Sequence, residues 1–160
     1  GFAMTGWRLG YCGAPLELAK AMAKIQGQNT SGANSIAQAA GVHGLNSSLQ
    51  PTHEMKAAFG RRRELMIEGL EQIPGFKVNR PKGAFYIFPD VSDLFGTSAR
   101  GYQIDTAEDL AEYFLREAHV ATVGGGSFGA PECMRISYAA SEDQLREAIR
   151  RIAEVVKELA

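Results

Sequence analysis

The sequence predicts an α/β fold in which helices pack on a mixed sheet. Apolar residues recur every three or four positions in several stretches, which indicates amphipathic helices. Short runs rich in aromatic and β-branched residues, bounded by Gly and Pro, indicate strands. Beyond residue 75 these elements follow in the order strand, strand, helix, strand, strand, helix. That order is typical of a small α/β domain.

The 160 residues suit one domain, or a small domain joined to part of another. Residues 1–50 predict a strand and helices with too few partners for a core of their own, so we expect them to be the end of a larger domain. Residues 51–75 predict a long connecting helix that stops at Pro74-Gly75. Residues 76–160 predict the small α/β domain.

The first fifty residues contain a strand-like opening over 1–11 and a helix that begins near Pro15. Residues 28–32 are polar and predict a turn. Met22 and Ile25 lie on an apolar stripe that we expect to stay exposed if nothing covers it.

The small domain is predicted from its strands, its caps and one long loop. Thr106 and the Ser141–Gln144 capping box each predict a helix start. Ser92 to Asp105 is rich in Gly, Ser and Asp and predicts a surface loop. The predicted strands are 76–78, 84–88, 120–123 and 133–138. The aromatic residues of the second strand are most simply core or sheet-face residues.

Arg8 lies between Trp7 and Leu9. A guanidinium among apolar residues is costly to bury unless an anion meets it, and its planar fork suits phosphate or carboxylate. The alternative is an edge-strand arginine in solvent, and residue spacing alone favours neither.

Arg135 is a single cation on an interior-looking strand. Alternate strand residues share a face, so Arg135 lies with Cys133 and Ser137, opposite the apolar Met134 and Ile136. An isolated cation there requires an anionic ligand or an internal salt bridge, and both alternatives stay open.

The opening stretch FAMTGWRLGY resembles the lysine-attachment signature of class I, aspartate-aminotransferase-type enzymes that depend on pyridoxal phosphate (PLP). Two further stretches, RPKGAFYIFPD and MRISYA, resemble the small domain of the same family. The resemblance implies that the Schiff-base lysine would immediately precede Gly1, so we expect no catalytic residue within these 160 residues. The residues that match the constrained signature positions are Ala3, Met4, Gly6, Arg8, Leu9 and Gly10.

The resemblance also implies site residues and partners. Arg8 would bind the cofactor phosphate, Arg135 the substrate's α-carboxylate, and Phe128 would lie near the substrate side chain. We expect a homodimer that acts on an L-amino acid and a 2-oxo acid, with the loop 28–32 near the neighbouring subunit's active site.

The implied function is amino transfer between aspartate, or a similar L-amino acid, and a 2-oxo acid, by a protein of which this chain is the C-terminal portion. Three alternatives remain open: a β-lyase or aromatic transaminase of the same fold, a PLP-binding regulator, and a non-catalytic interaction domain that descends from such an enzyme.

Composition and charge also argue against several other classes of partner and site. The net charge of −1 gives no electrostatic basis for binding nucleic acid or an anionic membrane, so we expect neither partner. The Arg61–Arg63 run fans around a helix and predicts a solvated face. Cys12 and Cys133 predict free thiols and a reducing, cytoplasmic location. Three scattered histidines predict no metal site.

Because the attachment lysine is expected before Gly1, the 160-residue chain alone should not transfer amino groups. Incubation of the purified chain with PLP and borohydride, followed by peptide mapping, is expected to give no specific adduct, and an amino-transfer assay no turnover. A stable single-site adduct together with turnover would refute this expectation.

Overall fold

The computed structural model describes all 160 residues. It divides into two compact units, Gly1–Met55 and Lys56–Ala160. The helices are α1 (Leu16–Asn29), α2 (Ser35–Asn46), α3 (Gln50–Leu70), α4 (Ala107–Tyr113) and α5 (Glu142–Val156). The strands are β1 (Tyr86–Ile87), β2 (Thr97–Ala99), β3 (Tyr102–Ile104), β4 (Val123–Gly124) and β5 (Met134–Ser137). The assignment of 1–50, 51–75 and 76–160 to parts of domains stays a prediction.

The first unit is helical, and the strand predicted over residues 1–11 is wrong. That stretch holds one 3₁₀ turn, Thr5–Trp7, and no strand. Ala3 and Arg8 adopt left-handed φ values of 52° and 51°, which interrupt an extended run. In addition, no other strand lies within Gly1–Met55 to hydrogen-bond with it.

Burial is almost absent in the first unit. Ala37 is its one buried residue. Met22 and Ile25 are exposed, as the sequence predicted. Other exposed large apolar side chains in this unit are Phe2, Trp7, Tyr11, Leu16, Leu18, Ile36, Val42, Leu45 and Leu49. The helices are therefore stabilised by local hydrogen bonds. At the start of α2, for example, the side-chain oxygen of Asn34 accepts hydrogen bonds from two backbone amides.

The second unit has a three-stranded sheet in the order β1-β5-β4. The α/β class is confirmed, but every pairing in this chain is antiparallel rather than mixed. The connection from β4 to β5 is short, and a short connection returns a strand antiparallel to its predecessor. Tyr86 lies opposite Ser137, and Val123 lies opposite Arg135.

All four strands predicted beyond residue 75 are shorter than expected, and one predicted loop contains regular structure. Of residues 76–78, only Lys77 forms a bridge, to Asp90. The loop predicted over 92–105 is wrong: it holds the hairpin β2–β3. Arg100 and Gly101 at its tip have φ values of 50° and 86°, the left-handed pair that a tight hairpin turn requires. Ile104 of this hairpin is completely buried.

The core of the second unit lies where the end of α3, α4 and α5 meet the sheet. The predicted Ser141–Gln144 capping box is present, and the predicted cap Thr106 also forms a capping box, with Asp109. Buried core residues from these elements include Met66, Ile67, Leu70, Leu110, Tyr113, Phe114, Met134, Ile136, Leu145, Ile152 and Val156. The hydroxyl of Tyr113 donates to the Val155 carbonyl at 3.1 Å, so the buried phenol is satisfied. No helix combines the length and apolarity needed to cross a membrane.

Arg100, at the tip of the β2–β3 hairpin, forms ion pairs with two glutamates outside the hairpin. Arg100 donates to Glu158 and to Glu117, each at 2.6 Å. The backbone of Ala160 exchanges hydrogen bonds with that of Ser98, beside the same turn. The Arg100 hydrogen bonds lower the pKa of Glu158 below its ordinary value of 4.5.

Replacing Arg100 by Gln tests this contact, because Gln keeps an unbranched polar side chain with a similar backbone preference but removes the charge and the guanidinium. A carboxylate with a depressed folded pKa stabilises the fold above its unfolded pKa, and this stabilisation is lost as the pH falls through the folded value. We expect Arg100→Gln to lower Tm by a few degrees at pH 7 and low salt. The deficit should begin to shrink as the pH falls below about 4.5 and should be lost once the pH passes below the depressed pKa of Glu158.

The control is Arg116→Gln, because Arg116 approaches Glu112 only to 3.7 Å on one exposed helix face. Melting curves of Arg100→Gln that parallel the parent from pH 3 to 8 would show that the contact does not stabilise the fold.

Candidate functional site

Arg135 lies on the central strand of the sheet, β5. The predicted alternation is present, with Met134 and Ile136 buried at 0% and 5% exposure and Arg135 on the other face with Ser137. The core therefore fixes one face of the strand, and this fixes the direction of Arg135 on the other.

Two aromatic rings contact the Arg135 guanidinium. Its Cζ atom lies 4.7 Å from the centroid of the Tyr86 ring and 4.6 Å from that of the Phe128 ring. Tyr86 of β1 pairs with Ser137 of β5. It is therefore the diagonal neighbour of Arg135 on the same face of the sheet, within reach of a long side chain. Both distances are those of cation–π contacts.

Arg135 has no carboxylate partner, whereas most arginines in the chain do. Arg61, Arg63, Arg80, Arg100, Arg116, Arg150 and Arg151 all form ion pairs with glutamates. The Arg135 guanidinium has neither an ion pair within 4.0 Å nor a hydrogen bond to a protein group, so the internal salt bridge left open by the sequence is absent. Its N–H groups are free to meet an external anion.

Phe128 is held by a turn built from glycines. A Cβ at Gly125 would overlap the Ala130 carbonyl oxygen and lie 2.5 Å from that of Cys133, so only glycine fits. The amide of Gly126 donates to the Glu108 carboxylate at 3.2 Å. A carboxylate already occupies this turn, which therefore does not cradle phosphate. Phe128 is 48% exposed, and its ring meets Phe88 edge-on at 6.1 Å.

Arg8 ends the first 3₁₀ turn of the chain. Its backbone amide and its Nη1 both donate to the Thr5 carbonyl, at 3.4 and 3.3 Å. It has no carboxylate within 4.0 Å, which leaves most of the guanidinium fork free. The next residue, Leu9, packs on Gly41 of α2, where a Cβ would lie 2.5 Å from the Leu9 side chain. This contact fixes the backbone that carries Arg8.

A large groove in the second unit does not contain the predicted site residues. It encloses about 970 Å³ between α3 and α5 and lies away from Arg135 and Phe128. Its charged lining includes Arg61 paired with Glu142 and Arg63 paired with Glu64. Because these charges largely neutralise one another, the groove has less need of an ionic ligand than Arg135 has.

Tyr86 contacts Arg135, although no sequence pattern identifies it as part of the candidate site. The sequence of its strand predicts core or sheet-face packing for the aromatic residues, and no local pattern separates Tyr86 from the neighbouring Phe85. The signal that identifies it is the pairing register of β1 with β5, which residue spacing within one strand does not contain.

Comparison with known proteins identifies the family. The family model "Aminotransferase class I and II" matches residues 1–152. The chain belongs to this family. A probable aspartate/prephenate aminotransferase of Rhizobium leguminosarum bv. phaseoli is 48% identical over 152 residues, which cover 94% of this chain and 38% of that protein.

Solved aminotransferase structures have the same fold. The aspartate aminotransferase from Rhizobium meliloti matches 99% of this chain with a TM-score of 0.89 and 46% identity. An aromatic aminotransferase from Pyrococcus horikoshii OT3 matches 98% with a TM-score of 0.84 and 38% identity. The match covers 40% of each solved chain, so this chain spans about two fifths of the length of its relatives.

The predicted resemblance and fold are therefore confirmed. Class I aminotransferases use pyridoxal 5'-phosphate, so the cofactor expected from the sequence is that of the family. The chemistry of Arg8 fits this cofactor, because a guanidinium fork without a carboxylate partner is a suitable donor set for phosphate. The roles of Arg8, Phe128 and Arg135 stay predictions.

The glycine turn gives a stability prediction. Gly125→Ala forces a Cβ into two backbone carbonyls that cannot rotate away, so we expect a loss of about 1–3 kcal/mol in the free energy of unfolding. Urea titration followed by circular dichroism measures this loss. Gly83→Ala is the control, because nothing lies within 4 Å of its Cβ position. Equal midpoints for the two variants would contradict the packing argument.

Proposed function

We propose that this chain supplies the phosphate- and carboxylate-binding arginines of a PLP-dependent aminotransferase. The observation that carries the proposal is Arg135, a half-buried guanidinium on the central strand with aromatic contacts and no protein anion. A group in that environment is ready to bind a carboxylate.

In this proposal Arg135 binds the α-carboxylate of the amino-acid substrate. Its planar fork donates two parallel hydrogen bonds to the two carboxylate oxygens, and each charge-assisted bond contributes roughly 1.5–3 kcal/mol. The bidentate contact orients the amino acid as well as holding it, because both oxygens are fixed in the plane of the guanidinium.

Arg8 has the corresponding role towards the cofactor, where it binds the phosphate group through its free N–H groups. The cofactor, when bound, supplies the electron sink for amino transfer. Phe128 lies beside Arg135 with half of its surface exposed, which suits contact with the substrate side chain.

The proposed amino donor is L-aspartate, with a 2-oxo acid as acceptor. Support comes from the relatives, which include an aspartate aminotransferase and a probable aspartate/prephenate aminotransferase, each near half identical to this chain. The second relative makes amino transfer to prephenate the specific alternative. An aromatic donor is a further alternative, supported by the Pyrococcus structure at 38% identity.

We further propose that the intact enzyme is a cytoplasmic homodimer. The exposed apolar side chains of Gly1–Met55 support burial in a larger assembly, because a stable protein rarely leaves so many in water. The free Cys12 and Cys133 support a reducing compartment.

The test measures amino transfer by the intact enzyme. L-Aspartate and an aromatic amino acid are compared as donors with 2-oxoglutarate as acceptor, and prephenate is compared with 2-oxoglutarate as acceptor. Arg135→Leu should lower kcat/KM for L-aspartate by roughly 10²–10⁴-fold, since it removes two charge-assisted hydrogen bonds. Arg146→Leu is the matched control, because Arg146 also has no ion pair but lines the distant groove. A fall of less than about 10-fold for Arg135→Leu, or an equal fall for Arg146→Leu, would contradict the assigned role.

A further inference from the structure

We propose that Tyr86 and Phe128 are positioning residues that hold the Arg135 guanidinium for carboxylate binding without competing for its N–H groups. This inference rests on the proposed function and adds to it the means by which the arginine is oriented. We call Tyr86 and Phe128 the aromatic pair.

An unpaired arginine needs something to hold it. A guanidinium on a long aliphatic stem samples many rotamers in water, and ordering it costs conformational entropy. A neighbouring glutamate would order Arg135 as glutamates order Arg100 and Arg150 elsewhere in this chain. Such a glutamate would also occupy the N–H groups and oppose the binding of an external anion.

Aromatic rings remove this conflict. A ring attracts the face of a guanidinium through its quadrupole, whereas hydrogen bonds to a carboxylate form at the edge, in the guanidinium plane. Tyr86 and Phe128 contact Cζ at 4.7 and 4.6 Å, while the N–H groups have no protein acceptor. The two rings therefore hold the cation without using any of its hydrogen-bond donors.

The rings are themselves fixed by further packing. The Tyr86 ring lies 4.4 Å from the Phe85 ring, and Phe85 in turn lies 6.2 Å from Phe59 of α3. On the other side of the site, Phe88 meets Phe128 edge-on. Each member of the aromatic pair is therefore backed by another aromatic residue, so its position does not depend on Arg135 alone.

The positions of the pair have different origins. Tyr86 is placed by strand register, two residues diagonally from Arg135. Phe128 is placed by the turn that follows β4, whose Val123 lies directly opposite Arg135. The same residue of β5 is thus approached from two neighbouring segments.

The first test uses the 160-residue chain with ¹⁵N-labelled arginine. Ring currents from aromatic faces should move the Arg135 Nε–H proton resonance upfield of that of Arg146. Tyr86→Leu and Phe128→Leu should each return it towards the Arg146 position, while Tyr86→Phe, which keeps the π face, should not. Tyr102→Leu is the matched control, because Tyr102 is a half-buried aromatic that packs on Tyr113.

Circular dichroism and Tm identify which variants remain folded. If Tyr86→Leu does not fold, Phe128→Leu tests the same contact from an exposed position. An Arg135 resonance that is unmoved in either folded leucine variant overturns the proposal.

The second test uses the intact aminotransferase. Tyr86→Leu should raise KM for the amino-acid donor about 5- to 30-fold with a smaller change in kcat, and Tyr86→Phe should restore it. Should Arg135→Leu impair the donor while Tyr86→Leu and Phe128→Leu do not, the positioning role fails and the proposed function stands. If the intact enzyme shows no amino transfer, or if Arg135→Leu is as active as the parent, the proposed function is wrong. The resonance measurement then tests by itself whether the aromatic pair holds Arg135.

Discussion

The pairing of β5 with strands on both sides is the constraint on which the site depends. One face of β5 is sealed by Met134 and Ile136 against the core, so the strand cannot shift by one residue without exposing both. The same register sets Arg135 opposite Val123 and places Tyr86 diagonally beside it. The chemistry on the outer face is thus a consequence of apolar burial on the inner face.

The distribution of charge in the second unit follows the same logic. Glutamates neutralise the arginines that join elements, as at Arg100 and Arg80, and also Arg150 within α5. These pairs lie at the surface, where each contributes little to stability. Glu147 accepts from two arginines, which lowers its pKa to about 2. Arg135 alone has two aromatic contacts, and it has no carboxylate partner. The proposed role of Arg135 therefore agrees with the kind of partner it has, aromatic rings rather than a carboxylate.

Features that depend on residues close together in the sequence could be predicted, whereas features that depend on pairing with distant residues could not. The helix caps at Thr106 and Ser141 and the alternation of β5 are local, and the structure contains them. Long-range information was missing elsewhere. The opening residues looked like a strand, but a strand needs a neighbour to pair with, and Gly1–Met55 has none. Tyr86 became part of the site only through its register with a strand fifty residues later.

The scarcity of buried side chains in Gly1–Met55 has a consequence for biosynthesis. Translation proceeds from the amino end, so α1 and α2 leave the ribosome while the segments that form the core of Lys56–Ala160 are still being made. Helices that expose large apolar side chains, such as Leu16, Ile25 and Ile36, are prone to aggregation at cellular concentrations. Of the two units, Gly1–Met55 is therefore the one that most needs chaperone protection while the rest of this chain is being made.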